Sequence, residues 1–325
     1  MNIRKMDRVR KIAITDCDHA SMDDEKWVAE ANRVELTLFQ CRTEDDLIEK
    51  LKGYEVAANQ YAPFTERVFA ALKDTLKVVT RYGVGYNNID VKAAAQYGIK
   101  ICNVPDYGIQ EVSVQALTLT LALTRKLLPL DHSVRRGEWE YQVGVPIERF
   151  SEMTIGIIGL GRIGKNFARL IRPFESTVLA TDPLYPDKAP EEFSFVKMTS
   201  LEDLLRASDV VSIHCPLETS FHMLNETTLR MMKPRAFLIN VSRGGIVDEL
   251  ALDRALTEGW IAGAACDVLE KEPPKGIHPL LRHENFVCTP HIAWYSEQAS
   301  HDLKRKTIEE LVRWLDGKEL LNPVN

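Results

Sequence analysis

Three glycines, Gly159, Gly161 and Gly164, follow the short apolar run Thr154–Ile158 in the pattern G-x-G-x-x-G. A helical pattern comes next, with Ile163, Phe167, Leu170 and Ile171 on one face. A second apolar run, Thr177–Thr181, then ends in Asp182. Each part has a chemical use. The first glycine permits a tight strand-to-helix turn, the second lets a pyrophosphate approach the backbone, and the third lets helix and strand pack closely. The helix N-terminus offers unpaired N–H groups and partial positive charge to a phosphate. Asp182 is placed to accept hydrogen bonds from both ribose hydroxyls and to repel a 2′-phosphate. Glycines at this spacing are often no more than a tight turn, and an acid before Pro183 is often a turn residue. Strand, helix, second strand and terminal acid in this order predict a dinucleotide site, with NAD favoured over NADP.

Four more loops hold groups able to act on a ligand. Arg81, Tyr82, Gly83, Val84 and Gly85 close a strand pattern, and glycines there expose N–H groups to an anion. On residue types alone an ordinary turn explains them equally well. Arg243 follows the apolar run 236–241, with Gly244 and Gly245 giving it room. A guanidinium so placed suits a carboxylate, although an arginine at a strand end is usually a solvated surface residue. Asp267, Glu270 and Glu272 crowd one loop, where any of them reads equally as a surface charge. His291 lies in Thr289-Pro290-His291-Ile292-Ala293-Trp294. Histidine is the side chain best suited to proton transfer near neutrality, and a neighbouring carboxylate favours its imidazolium form. A hydride donor, an arginine, a histidine and a carboxylate together make a site for reducing a 2-oxo acid.

The elements that must position these loops alternate. Strand patterns at 11–15, 34–39, 55–59, 76–81 and 99–103 are separated by helical patterns at Asp23–Ala31, 43–51, 65–72 and 90–96. Residues 109–128 alternate like a strand through Leu117, Leu119, Leu121 and Leu123. They run too long without Gly or Pro for an ordinary strand, so a buried helix is expected, ended or kinked near Pro129. An irregular loop is expected over 137–150. Beyond Asp182 the rhythm resumes, with a helix at Leu201–Ala207, a strand at 209–214, a helix at 225–232 and a strand at 236–241. A helix capped by Asp248 follows, then strands at 261–268 and 285–289, and a long amphipathic helix over 296–315. The fold class is α/β, with parallel sheets covered by helices.

Length and composition bound the rest. A chain of 325 residues suggests about two domains. A formal charge of −6 and a pI near 5.8 argue against nucleic acid or an anionic membrane as partner. The basic run Arg4, Lys5, Arg8, Arg10, Lys11 has no apolar segment after it and reads as a solvated lead-in to the first strand. No apolar stretch reaches membrane-spanning length. The cysteines at 17, 41, 102, 215, 266 and 288 are scattered without a C-x-x-C, which predicts a reducing, cytoplasmic setting and no disulfides. Cys288 and His291 lack a second pair at suitable spacing, so no metal is expected.

With these loops assembled, the chain resembles the D-isomer-specific 2-hydroxyacid dehydrogenase family. The likeness rests on residues 81–90, Gly159 to Gly164 with Asp182, 240–249, 263–273 and 289–291. Residues 288–300, with Trp294, look most like the C-terminal-binding-protein branch, whose animal members act as transcriptional corepressors. The resemblance implies two doubly wound domains, a Rossmann NAD-binding domain (105–292) inserted in a flavodoxin-like substrate domain (1–104 and 293–325). It implies Arg243 for the substrate carboxylate and carbonyl, His291 as acid/base and Glu272 as its partner. Arg162 and Ile163 match a pyrophosphate contact, and Asp267 a nicotinamide contact. His214, Cys215, Pro216, Thr219, Val241 and Ser242 match other cofactor-lining positions. Val84 and Gly85 match a backbone cradle for the substrate carboxylate. Gln60, Tyr61, Tyr82 and Trp294 would meet the substrate side chain and favour a medium-sized or aromatic one. Val114-Gln115 departs from the family's usual acid followed by histidine. The expected activity is NAD-dependent reduction of a small 2-oxo acid, or oxidation of the D-2-hydroxy acid, by a homodimer. An NAD-regulated interaction module and a short phosphoglycerate dehydrogenase are the alternatives.

Overall fold

The structure is a computed structural model and describes residues 10–325. Of the N-terminal basic run, Arg4, Lys5 and Arg8 lie outside the described residues. The chain divides into two compact units. One runs to Gly108 and takes up the chain again over Ser296–Asn325; the other is Ile109–Tyr295.

The first unit is built on β1 (Lys11–Ile14), β2 (Glu35–Leu38), β3 (Val56–Asn59), β4 (Val78–Arg81) and β5 (Lys100–Cys102). They form one sheet in the order β2-β1-β3-β4-β5, and every pairing is parallel. Helices α1 (Asp23–Ala31), α2 (Glu44–Lys50), α3 (Glu66–Leu72) and α4 (Val91–Gln96) make the crossovers. Their starts follow local chemistry. Thr43 and Asp46 form a reciprocal capping box on α2, and the Asp90 side chain accepts from the Ala93 N–H on α4. Ala57, Phe64, Phe69, Leu76, Val79 and Ile101 fill the core of this unit. Arg10 pairs with Asp316 at 2.6 Å, and the Lys11 ammonium sits 4.2 Å over the Tyr54 ring, so both are tied down rather than merely solvated.

The second unit begins with α5 (Ile109–Thr124) and α6 (Leu127–Arg135). Its sheet contains β6 (Thr154–Ile158), β7 (Thr177–Thr181), β8 (Val196–Met198), β9 (Val210–Ile213), β10 (Phe237–Asn240), β11 (Gly263–Cys266) and β12 (Phe286–Cys288). Helices α7 (Arg162–Ile171), α8 (Leu201–Ala207), α9 (Glu226–Leu229) and α10 (Glu249–Thr257) connect them. The order β12-β11-β10-β9-β6-β7-β8 is parallel throughout, so the sheet changes winding direction at β6 and β9. Both faces are covered. In β10, Phe237 and Ile239 enter one apolar cluster and Leu238 the other, as period-two geometry requires. Each such side chain contributes roughly 1.5–3 kcal/mol when fully buried. The last helix, α11 (Glu297–Leu315), returns to the first unit. There the Ser296 side chain caps it and Leu303, Thr307 and Leu311 are buried.

Two expectations need correction. The helix over 109–128 ends at Thr124, upstream of Pro129, where Lys126 takes a left-handed φ of 54°. Pro129 then lies in the first turn of α6, where its missing N–H costs nothing. The alternating leucines mask a helical face, because Ala116, Leu119 and Leu123 are the buried set. Residues 137–150 contain a 3-10 turn over Tyr141–Gly144. Strand β8 and helix α6 lacked any signal strong enough to read. Among the described residues, no helix is long and apolar enough to cross a membrane.

Candidate active site

The glycine turn has the geometry a dinucleotide needs. Gly159 sits at φ +92°, and a Cβ there would lie 2.8 Å from the His214 carbonyl carbon and the Cys215 nitrogen. A Cβ on Gly164 would fall 2.0 Å from the Gly159 carbonyl oxygen, so α7 packs directly on the turn. Gly161 is different: a Cβ there meets nothing within 4 Å, which leaves open space at the N-terminus of α7 beside Arg162 and Ile163. The Asp182 carboxylate accepts from the Leu160 N–H at 2.6 Å and the Leu184 N–H at 2.8 Å, which fixes it against the same turn. An open helix N-terminus with an oriented carboxylate at the next strand end fits pyrophosphate and ribose. The site would hold the pyrophosphate at Gly161, Arg162 and Ile163 and the ribose at Asp182.

Neighbouring strands bring the other predicted cofactor positions to the same carboxyl edge. His214, Cys215, Pro216 and Thr219 follow β9, and Val241 and Ser242 follow β10. Their side chains are not equivalent. His214 Nε2 is 2.9 Å from the Ser212 hydroxyl, and burial pushes the imidazole down to about 3, so it is a neutral packing group behind Gly159. Ser242 donates its hydroxyl to the Ile213 carbonyl at 2.9 Å, tying the β10 loop to β9. Pro216 and Thr219 are exposed and Val241 is buried.

Arg243, Glu272 and His291 come together beside that edge. The Asn240 side chain brackets the arginine loop, donating to the Arg243 carbonyl at 2.9 Å and accepting from the Ser242 N–H at 3.1 Å. A Cβ on Gly244 would fall 1.9 Å from the Leu269 carbonyl carbon. Only glycine lets the Arg243 loop touch the loop carrying Glu272. That second loop is pinned in turn, because the Glu270 and Glu249 carboxylates accept from each other's N–H groups. Glu272 accepts from the Leu269 N–H at 2.8 Å with one oxygen and meets His291 Nδ1 at 2.5 Å with the other. Burial raises the Glu272 carboxyl, but the hydrogen bond and charge of His291, the Leu269 N–H and the Arg243 charge outweigh it. The carboxyl therefore sits below its ordinary value.

Asp267 builds the histidine loop. One oxygen accepts from the Thr289 hydroxyl and from the Ile292 N–H at 3.0 Å, and the other accepts from the Ala293 N–H at 2.8 Å. Its backbone carbonyl accepts the His291 N–H at 2.8 Å. These bonds hold His291 at a left-handed φ of +52°, a costly conformation for a non-glycine residue. Burial raises the Asp267 carboxyl, partly offset by the three donors. The carboxylate is therefore a positioning group for His291, a role that its expected nicotinamide contact did not suggest. Gln115, the departure from the family pattern, reaches Thr289 at 3.4 Å and so supports the same loop. Trp294 is half-buried with its ring edge-to-face on Tyr295 at 5.4 Å.

In the first unit the expected substrate positions are sorted differently. Tyr61 is 60% exposed and Val84 40%, whereas Gln60 and Tyr82 are almost fully buried. The Gln60 amide donates to the Asp18 carboxylate at 2.7 Å and accepts from the Asp18 N–H at 3.0 Å, so its side chain is already engaged. The Tyr82 ring lies edge-on to His19 at 4.9 Å inside the core. Both side chains thus pack within the first unit itself. Val84 accepts the Asn103 amide at 2.7 Å through its carbonyl, which fixes the turn that continues into Gly85. Asn240, Thr289 and Asp18 take on their bracing roles only in the folded loops, and nothing in their sequence context signals those roles.

A dinucleotide turn on a doubly wound sheet, with an arginine, a carboxylate and a histidine at its carboxyl edge, defines an NAD-linked α/β dehydrogenase class. Residues 117–293 match the family described as D-isomer specific 2-hydroxyacid dehydrogenase, NAD binding domain. The chain belongs to this family, and NAD is its cofactor. It is 36% identical over 296 residues to a D-3-phosphoglycerate dehydrogenase of Archaeoglobus fulgidus, covering 90% of this chain and 56% of that protein. The chain thus spans little more than half of that relative's length. Among solved structures it is similar to an acyclic imino acid reductase (Bsp5) in complex with NADPH and D-Arg, at TM-score 0.86 and 27% identity over 97% of this chain and 100% of the other. It is also similar to D-2-hydroxyisocaproate dehydrogenase, at TM-score 0.81 and 30% identity over 97% and 99% of the two chains.

Proposed function

We propose that the protein reduces a 2-oxo acid to the D-2-hydroxy acid with NADH, and catalyses the reverse oxidation. The observation that carries this reading is the joining of His291 Nδ1 to Glu272 at 2.5 Å, with the Arg243 charge acting on the same carboxylate. Bound NADH supplies the hydride. Glu272 stabilises the imidazolium and orients the ring, leaving Nε2 to donate a proton to the substrate carbonyl oxygen. Arg243 neutralises charge growing on that oxygen and holds the carboxylate. Asp267 and Thr289 keep the histidine loop in its strained conformation. In the second unit Trp294 supplies an apolar wall, and in the first unit the Val84–Gly85 turn offers backbone groups to a carboxylate and Tyr61 an exposed side chain. The Asp182 carboxylate favours NADH over NADPH.

The same reading includes a homodimer in a reducing, cytoplasmic setting. Leu127, Val134, Trp139, Tyr141, Val143 and Val145 are all exposed within one sequence stretch of the second unit, and exposed apolar side chains favour association where they meet. All six cysteines are free. Sedimentation tests the dimer, and a monomer at micromolar concentration refutes it. The activity is tested by NADH oxidation with glyoxylate, pyruvate, hydroxypyruvate, phosphohydroxypyruvate, a thioether oxo acid and phenylpyruvate, repeated with NADPH. Turnover with at least one acid, faster with NADH, is expected. No turnover with any of them removes the dehydrogenase assignment.

A further inference from the structure

Two loops at the carboxyl edge of the second unit carry Arg243, after β10, and Glu272, after β11. His222, on the loop after β9, is bonded to both. Its backbone N–H donates to the Gly245 carbonyl at 2.8 Å, two residues beyond Arg243. Its Nε2 meets the Glu270 carboxylate at 3.0 Å, two residues before Glu272. A carboxylate can only accept, so Nε2 is the donor. With its main chain on one loop and its side chain on the other, the histidine ties the two together.

Backbone strain and packing single this residue out. His222 sits at a left-handed φ of 47°, a conformation that histidine tolerates better than most side chains and that still costs free energy. Asn225 holds it there: its amide donates to the His222 carbonyl at 3.0 Å, and the same side chain caps α9. The segment then runs beside the Arg243 loop, with the Leu224 N–H on the Ile246 carbonyl at 3.0 Å and the Asp248 N–H on the Leu224 carbonyl at 2.8 Å. Phe221 stacks on the imidazole, 4.0 Å between ring centroids and 14° between planes, and its ring lies 3.5 Å from where a Cβ on Gly245 would be. The far end is anchored as well. Glu270 and Glu249 accept each other's backbone N–H groups, and the second Glu249 oxygen meets His278 Nε2 at 3.1 Å.

We propose that His222 is a positioning residue for the reduction: by bridging the Arg243 loop and the Glu270–Glu272 loop, it sets the separation between the guanidinium and the Glu272–His291 pair. This rests on the dehydrogenase reading above. Hydride and proton transfer tolerate little displacement, and a shift of about 1 Å in a reacting group can cost about a hundredfold in rate. Glu272 stands on an irregular loop, which needs supporting bonds to hold a group that closely. The glycine turn lies after β6 and takes part in none of these bonds, so the effect falls on turnover rather than on NADH binding.

The experiment is steady-state NADH oxidation by the full chain with whichever 2-oxo acid the wild type reduces fastest, with NADH titration and thermal melting of each protein. His222→Asn keeps a side chain suited to the left-handed backbone and is too short to reach Glu270. It should lower kcat about tenfold or more, with NADH affinity and melting temperature unchanged. His222→Gln carries an amide near the Nε2 position and should recover most of the rate. Glu270→Ala removes the other partner, and adding His222→Asn to it should lower the rate no further, because the shared contact is already gone. A wild-type rate in His222→Asn overturns the assignment. So does a His222→Gln protein no faster than His222→Asn, or a double variant slower than Glu270→Ala alone. Losses of NADH affinity or melting temperature in step with kcat show a merely structural role and overturn it too. No wild-type turnover with any acid removes the dehydrogenase reading, and this assignment with it.

Discussion

Glu272 grips Nδ1 of His291 at 2.5 Å while the histidine backbone is held at φ +52° by Asp267. One carboxylate sets the ring and another sets the chain that carries it. The geometry separates two jobs that a single acid–histidine pair usually combines. Glu272 governs the imidazolium, and Asp267 governs where the imidazolium stands.

Replacing Glu272 by Gln tests the first job. The amide keeps a hydrogen bond to the ring and loses the charge that favours imidazolium. Near neutrality kcat for reduction falls about a hundredfold, while NADH affinity is unchanged, because the Glu272 carboxylate bonds to the Leu269 N–H and to His291 rather than to the glycine turn. Steady-state kcat and NADH titration read the two effects separately. A kcat that stays at the wild-type rate would show that the carboxylate only orients the ring.

The glycine turn yields a paired prediction. Gly164→Ala forces a Cβ to 2.0 Å from the Gly159 carbonyl oxygen, a backbone atom that cannot yield cheaply. It should lower stability by about 2 kcal/mol and weaken NADH binding with it. Gly161→Ala places its Cβ in open space, so the fold should hold to within about 0.5 kcal/mol. NADH binding should still fall at least about tenfold, because the methyl group occupies room meant for pyrophosphate. Thermal melting and NADH fluorescence titration read the two effects separately. Tight NADH binding by a well-folded Gly161→Ala protein would move the pyrophosphate elsewhere.

Much of this architecture was legible because periodicity survives folding. The runs Thr154–Ile158 and Thr177–Thr181 are strands over those residues, and Asp23–Ala31 and Leu201–Ala207 are helices over theirs. The 109–128 stretch was harder. Its leucines alternate by composition, and only the burial of Ala116, Leu119 and Leu123 separates helix from strand. Strand β8 has three residues, too few to carry a period. At the site, glycine spacing and chemistry-bearing side chains could be read directly, whereas supporting roles could not. Asn240 bracketing Arg243, Asp267 organising 289–293 and Gln60 serving Asp18 are all relations between residues that meet only after folding. A sequence reveals what a side chain can do and leaves open which neighbour will occupy it.

A buried pair in the first unit gives the protein a pH-dependent stability. The His19 side chain is 5% exposed and the Glu25 side chain fully buried, and Nδ1 meets the carboxylate at 3.0 Å. Burial alone would push the imidazole down; hydrogen bonds to Cys17 and Glu25 and their charges outweigh it and raise it from 6.5 to about 9. A group whose folded value is raised stabilises fully below its unfolded value and loses that contribution as pH climbs through the folded one. The pair's stabilisation is therefore complete below pH 6.5 and fades through about 9, a loss on the order of 3 kcal/mol across the window. The groups beside it are Cys17 and Tyr82, whose phenol is itself held well above its ordinary value by burial. Melting temperatures from pH 6 to 10 should fall more steeply in the wild type than in His19→Gln, which cannot bind the extra proton. Parallel curves for the two proteins would mean that the imidazole is neutral in the folded chain and that Glu25 is held by other means.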